Sequence, residues 1–77
     1  MIQTLEAGGT VTLTVNGAPR ELPRNSTVGD LLGALGIDPR LVVVEHNREI
    51  LRDKSAYDSI ELLSDDVVEI VHFVGGG

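Results

Sequence analysis

Residues Thr10-Val11-Thr12-Leu13-Thr14-Val15 alternate polar and apolar side chains with a period of two, and most of them are β-branched. That pattern predicts a half-buried strand with Val11, Leu13 and Val15 facing inward. Asn16-Gly17 follows, a pair that tolerates positive φ at both positions and so favours a tight hairpin. Ala18 to Leu22 then returns as a second strand, closed off by Pro23. Val28, Leu31, Leu32 and Leu35 recur at i, i+3, i+4 and i+7, the signature of one apolar helical face. Either Ser26 or Thr27 can cap this helix, and Asp30 stands three residues after Thr27 in capping-box spacing. Gly36 stops it, and Pro39 blocks its resumption.

Leu41 to Glu45 is a continuous apolar run ending in charge, which predicts a buried central strand. His46-Asn47-Arg48-Glu49 turns the chain, and Ile50-Leu51 forms a short strand. Asp53 to Asp58 is polar and irregular, with a single helical turn around Ala56 and Tyr57. Ile60-Glu61-Leu62 adds a further short edge, Ser64-Asp65-Asp66 turns again, and Val67 to Val74 is the last strand. Hairpin, helix, strand, short strand and strand, in that order, give an α+β fold. Its sheet is mixed, with four to five strands, and one main helix covers one face. Met1 to Gly9 reads as an extension or partial strand outside the core domain, which spans residues 10–74. Residues 75–77 form a glycine tail.

Composition narrows the chemistry. The chain has 77 residues, one domain's worth, and 42% apolar content with only Tyr57 and Phe73 aromatic, so the core must be aliphatic. With no cysteine there is no disulfide, zinc-thiolate site or thiol nucleophile. The formal net charge is −6, and six scattered basic residues supply no face for nucleic acid. An acidic domain instead suits a partner with a positive surface. No apolar run approaches the roughly 18 residues that span a bilayer, and no signal-peptide layout opens the chain. These features predict a cytoplasmic protein with neither nucleic acid nor membrane as partner.

Within the body, nothing assembles into a catalytic site. His46 and His72 match no metal-ligand spacing and read as structural residues at a strand end and on the last strand. Gly29 and Gly33 are spaced as GxxxG, which outside a membrane reads as close approach of helix to sheet. Gly33 and Gly36 do not form a dinucleotide fingerprint. Asp65-Asp66 reads as a solvated turn. No catalytic residue and no metal site are expected.

Attention therefore moves to Gly75-Gly76-Gly77. Without Cβ atoms, such a tail can enter a channel too narrow for other side chains. It is expected to end in a free carboxylate at Gly77. Because a carboxylate is a poor electrophile, it needs activation, typically as a mixed anhydride with a nucleotide phosphate. An inert body and a glycine end fit a carrier, although a frayed terminus is the alternative.

Three segments carry a resemblance: Val11-Thr12-Leu13-Thr14-Val15-Asn16-Gly17, Thr27-Val28-Gly29-Asp30-Leu31-Leu32, and Val68-Glu69-Ile70-Val71-His72-Phe73-Val74-Gly75-Gly76-Gly77. Together they resemble the ThiS family, the sulfur carrier proteins of thiamin biosynthesis, over roughly residues 10 to 77. The resemblance implies a β-grasp, ubiquitin-like fold. It implies that Gly77 is adenylated by a ThiF-type enzyme using ATP, with no cofactor bound to the carrier itself. Sulfur from a sulfurtransferase or cysteine-desulfurase relay then gives a thiocarboxylate, which serves thiazole synthase. The small subunit of molybdopterin synthase and a protein modifier joined through Gly77 share the fold and remain alternatives. Family members commonly have Asp-Gly-Asp where this chain has Ser64-Asp65-Asp66, and Met1 to Gly9 has no clear counterpart.

Alternation assigns faces on the last strand: Val68 and Ile70 inward, Val71 and Phe73 outward. An exposed Phe73 beside Val71 makes an apolar patch suited to partner docking, with Val74 continuing it. The alternative is that the Phe73 ring folds back onto the sheet edge. Gly75, Gly76 and Gly77 are the residues expected to enter partner active sites.

Overall fold

The computed structural model describes residues 8–73. Val74 and the glycine tail, and residues 1–7 of the N-terminal extension, lie outside them. Five strands, β1 (Thr10–Val15), β2 (Ala18–Pro23), β3 (Val42–His46), β4 (Glu49–Ile50) and β5 (Val67–His72), form one sheet in the order β2-β1-β5-β3-β4. The last strand in sequence thus lies in the middle of the sheet. It runs parallel to β1 and antiparallel to β3, so the sheet is mixed as expected.

Each boundary has a local cause. Asn16 and Gly17 both take positive φ (49° and 83°), so a two-residue turn joins β1 to β2 and pairs Val15 with Ala18. Beyond the other end of that ladder, the Arg24 N–H donates to the Gly9 carbonyl at 3.1 Å. Pro19 and Pro23 are tolerated because β2 is an edge strand. The helix α1 (Val28–Leu35) starts at Thr27, not Ser26. The Thr27 hydroxyl accepts from the Asp30 N–H (3.1 Å), and the Asp30 carboxylate accepts from the Thr27 N–H (3.0 Å). Ser26 is buried and donates to the Pro23 carbonyl instead. Gly36 ends α1 in the left-handed region at φ 70°.

Val11, Leu13 and Val15 of β1, Val28, Leu31 and Leu32 of α1, Val42 and Val44 of β3, and Val68 and Ile70 of β5 share one core with Tyr57 and Leu62. This core is aliphatic apart from Tyr57, whose hydroxyl is pushed above its ordinary pKa by burial. Glycine spacing in α1 has a different basis from the one expected. A Cβ on Gly29 would overlap the side chain of Asp58, which belongs to a 3₁₀ segment and not to the sheet, whereas a Cβ on Gly33 would meet open space.

Several elements differ from expectation. Leu41 is not in β3: Pro39–Leu41 form a 3₁₀ turn capped by Asp38, and Leu41 is exposed. Proline at the first position presets φ for such a turn, which no hydropathy pattern records. The turn around Ala56 and Tyr57 is a longer 3₁₀ segment, Lys54–Ser59. Residues 60–62 contribute only a single bridge, Thr27 to Glu61, with Leu62 wholly buried. β4 is Glu49–Ile50, one residue earlier than predicted, because Asn47 and Arg48 alone make the turn that pairs His46 with Glu49.

Candidate functional site

β5 is the strand that leads to the glycine tail, and both flanks hold it. On the β1 side the ladder is short, pairing Thr14 with Val67 and Val15 with Val68. Asn16 prolongs it with its side chain, whose amide oxygen accepts from the Ile70 N–H (2.7 Å) while its amide nitrogen donates to the Ile70 carbonyl (3.2 Å). On the β3 side Asn47 does the same kind of work on Val67. Its side-chain oxygen accepts from the Val67 N–H (2.8 Å), and its own N–H donates to the Val67 carbonyl (2.8 Å). Both asparagines have positive φ, which brings their side chains back toward the neighbouring strand.

The start of β5 is fixed by a polar cluster. Asp66 is buried, not part of a solvated turn as the sequence implied. One carboxylate oxygen lies 2.8 Å from His46 Nε2 and accepts from the Leu63 N–H at 2.8 Å, and the other accepts from Asn47 at 3.1 Å. Desolvation pushes the Asp66 pKa up, but the hydrogen bonds from His46, Leu63 and Asn47 together outweigh it and hold the carboxyl below its ordinary value. Asp65, the middle residue of the Ser64-Asp65-Asp66 turn, occupies the left-handed region at φ 73°.

His46 pairs across the sheet with Val68, and His72 with Val42, so the two histidines stand at opposite ends of β3. Among the described residues, no group of three or more His, Cys, Asp or Glu is placed to hold a metal ion. No helix of the described residues is long and apolar enough to cross a membrane.

Val68 and Ile70 point into the core, and Val71 and Phe73 are exposed at 61% and 58%. Around Val71 lies a shallow groove of about 460 Å³ lined by Val43, Glu45, Ile50, Glu69 and Val71. Val43 lies opposite Val71, and Glu45 opposite Glu69, so apolar and acidic cross-strand pairs adjoin on the face away from the helix. Sequence reading missed Val43 and Ile50 as surface residues. Leu41 to Val44 reads as uniformly apolar, but only Val42 and Val44 are fully buried. Phe73 is not among the groove residues. Its N–H donates to the Leu41 carbonyl at 2.9 Å, and the Lys54 ammonium sits 5.3 Å from its ring centroid. The remaining expected site residues, Val74, Gly75, Gly76 and Gly77, lie outside the described residues.

A helix over a mixed sheet whose central last strand pairs parallel with the first defines a β-grasp, ubiquitin-like domain. A profile of the ThiS family matches residues 13–77. The chain belongs to that family. It is 42% identical over 66 residues to the sulfur carrier protein ThiS of Bacillus subtilis, covering 84% of this chain and 98% of that protein. It is also 46% identical over 65 residues to a thiazole synthase of Paramagnetospirillum magneticum, of which it spans only 20%. The crystal structure of the thiamine biosynthesis protein ThiS from Geobacter metallireducens superimposes with a TM-score of 0.74 at 37% identity, covering 87% of this chain and all of the other.

Proposed function

We propose that this ThiS-family protein is a stoichiometric sulfur carrier for formation of the thiazole moiety of thiamin, working in the cytoplasm. The Gly77 carboxylate is adenylated by an ATP-using, ThiF-type partner. A persulfide sulfur on a sulfurtransferase or cysteine-desulfurase relay then displaces AMP to give an acyl disulfide, and a second thiol cleaves that S–S bond, forming a disulfide of its own and releasing the thiocarboxylate that thiazole synthase consumes. The carrier supplies no catalytic side chain and binds no cofactor.

The observation that carries this reading is the match across nearly the whole length of a protein named as a sulfur carrier, together with a family profile that extends through Gly75-Gly76-Gly77. The alignment with one fifth of a thiazole synthase supports the choice of acceptor, because there a segment like this one is part of a synthase chain. The groove around Val71, together with Phe73 and Val74, is the docking surface. Val43, Ile50 and Val71 provide apolar contact, and Glu45 and Glu69 suit a basic partner surface.

The test is the intact mass of the carrier after incubation with an adenylating enzyme, ATP and a sulfur source. The expected result is a gain equal to replacing one oxygen by sulfur, located in the peptide that contains Gly77. An unchanged mass with a competent enzyme overturns the reading. Adducts to protein lysines would instead identify a protein modifier.

A further inference from the structure

Lys54 is the chain's only lysine and Phe73 its only phenylalanine. They lie 19 positions apart and meet where β5 gives way to the tail. Lys54 is the first residue of its 3₁₀ segment, whose cap fixes the backbone there: the Asp53 carboxylate accepts from the Ser55 N–H at 3.0 Å. The Lys54 ammonium donates to the Pro39 carbonyl at 2.8 Å and to the Val42 carbonyl at 2.9 Å. An ammonium has three N–H donors. Two are used on these carbonyls, and the ring of Phe73 lies 5.3 Å away.

Pro39 opens the 3₁₀ turn that precedes β3, and Val42 is the first residue of β3, paired across the sheet with His72. The ammonium therefore ties the 3₁₀ segment, the head of β3 and the Phe73 ring together. Phe73 is held twice, by its N–H to the Leu41 carbonyl and by the cation on its ring, while most of its surface stays open to solvent. An exposed phenylalanine without such a partner would sample several rotamers, and ordering it on docking would weaken binding.

We propose that Lys54 is a positioning residue that presets the Phe73 ring for docking on the enzyme that activates the tail. The role rests on the carrier function above, since it matters only if that tail must be delivered to a partner. The effect of Lys54 belongs in the affinity of the carrier for its activating enzyme and not in the chemical step.

The experiment compares Lys54→Met, Lys54→Gln and Lys54→Arg with the unmodified full chain. Methionine keeps the apolar stem and removes the charge. Glutamine keeps N–H donors for the carbonyls without the cation, and arginine keeps a cation for the ring. Fluorophenylalanine incorporated at the single Phe73 reports ring ordering by fluorine NMR, without any enzyme. ATP-dependent pyrophosphate release by a ThiF-type enzyme gives KM for the carrier and kcat.

The expected result is a rise in KM of about two- to fivefold in Lys54→Met, the size set by an exposed cation–π contact. The kcat stays unchanged, the fluorine signal moves toward that of a disordered ring, and Lys54→Arg recovers both readouts. Lys54→Gln should share the defect. It decides the matter if Lys54→Met does not fold. A folded charge-removing variant with unchanged KM, or with an unchanged fluorine signal, overturns the proposal. Failure of the unmodified carrier to be adenylated overturns the carrier function and this role together, whereas normal turnover with an insensitive KM overturns this role alone.

Discussion

Asn16 and Ile70 are 54 positions apart in sequence, yet the Asn16 side chain binds both the N–H and the carbonyl of Ile70. The turn residue thereby serves as an extra rung of the parallel β1–β5 pairing, which contains only two residue pairs. Asn16→Gly retains the positive φ and removes both hydrogen bonds. It is expected to lower stability by about 2 kcal/mol, because two partly buried backbone groups lose their partners. The melting temperature should fall by about 10 °C. Thermal unfolding followed by circular dichroism checks this, and a melt within a degree or two of the unmodified protein would show that water satisfies Ile70 equally well.

The buried Asp66 carboxylate predicts a specific pH dependence. Its folded pKa lies below the unfolded value, so its contribution is present above the unfolded pKa of about 4 and is lost as pH falls through the folded one. Stability should therefore decline on acidification below about pH 4, and Asp66→Asn should flatten that decline. Asp38 is also held down, to about 2, by hydrogen bonds from Arg40, but the pair lies at the surface with Arg40 largely exposed, so solvent screens it. Urea midpoints measured from pH 6 to pH 2.5 separate the two, since Asp38→Asn should leave most of the acid decline in place.

Arg48 and Asp65 both occupy the left-handed region, each at φ 73°. A side chain with Cβ there costs roughly 1–2 kcal/mol, less for Asp, whereas glycine adopts it freely at some expense in unfolded-state entropy. Arg48→Gly is thus expected to stabilise the fold by about 0.5–1 kcal/mol, and Asp65→Gly by less. The order of the two denaturant midpoints, at constant m-value, is the decisive observation.

The two glycines inside α1 should respond oppositely to alanine. Gly33 faces open space, so Gly33→Ala should gain about 0.5–1 kcal/mol of helix propensity. Gly29→Ala must displace the Asp58 side chain, since its new Cβ would lie 3.6 Å from the Asp58 Cα and closer still to the carboxylate. That variant should be clearly less stable than Gly33→Ala. Equal stabilisation of both would show that Asp58 moves aside without loss.

Docking on the groove is tested at its most exposed apolar residue. Val71 is 61% exposed, so Val71→Asp should leave the fold intact. A buried, unpaired charge at the interface should raise the carrier KM for adenylation more than about tenfold. An unchanged KM would place the docking surface elsewhere on the domain.

What was legible from sequence was short-range. The alternation of Val11, Leu13 and Val15, the spacing of Val28, Leu31 and Leu32, the Thr27–Asp30 capping box and the Asn16-Gly17 turn all involve residues within a few positions of one another. Backbone periodicity and turn sterics fix such features wherever the segment sits. The glycine ending and the family pattern around it were legible for the same reason, as a contiguous motif.

Tertiary structure decided the rest. Only the insertion of β5 between β1 and β3 brings Asp66 to His46, Asn47 to Val67 and Asn16 to Ile70. It also makes Val43 a surface neighbour of Val71, although the run it belongs to looks uniformly buried. The meeting of Lys54 with Phe73 depends on where a 3₁₀ segment docks against the head of β3. Such contacts join segments whose separation in sequence carries no periodic signal, so their partners are set by sheet order and core packing and not by any local pattern.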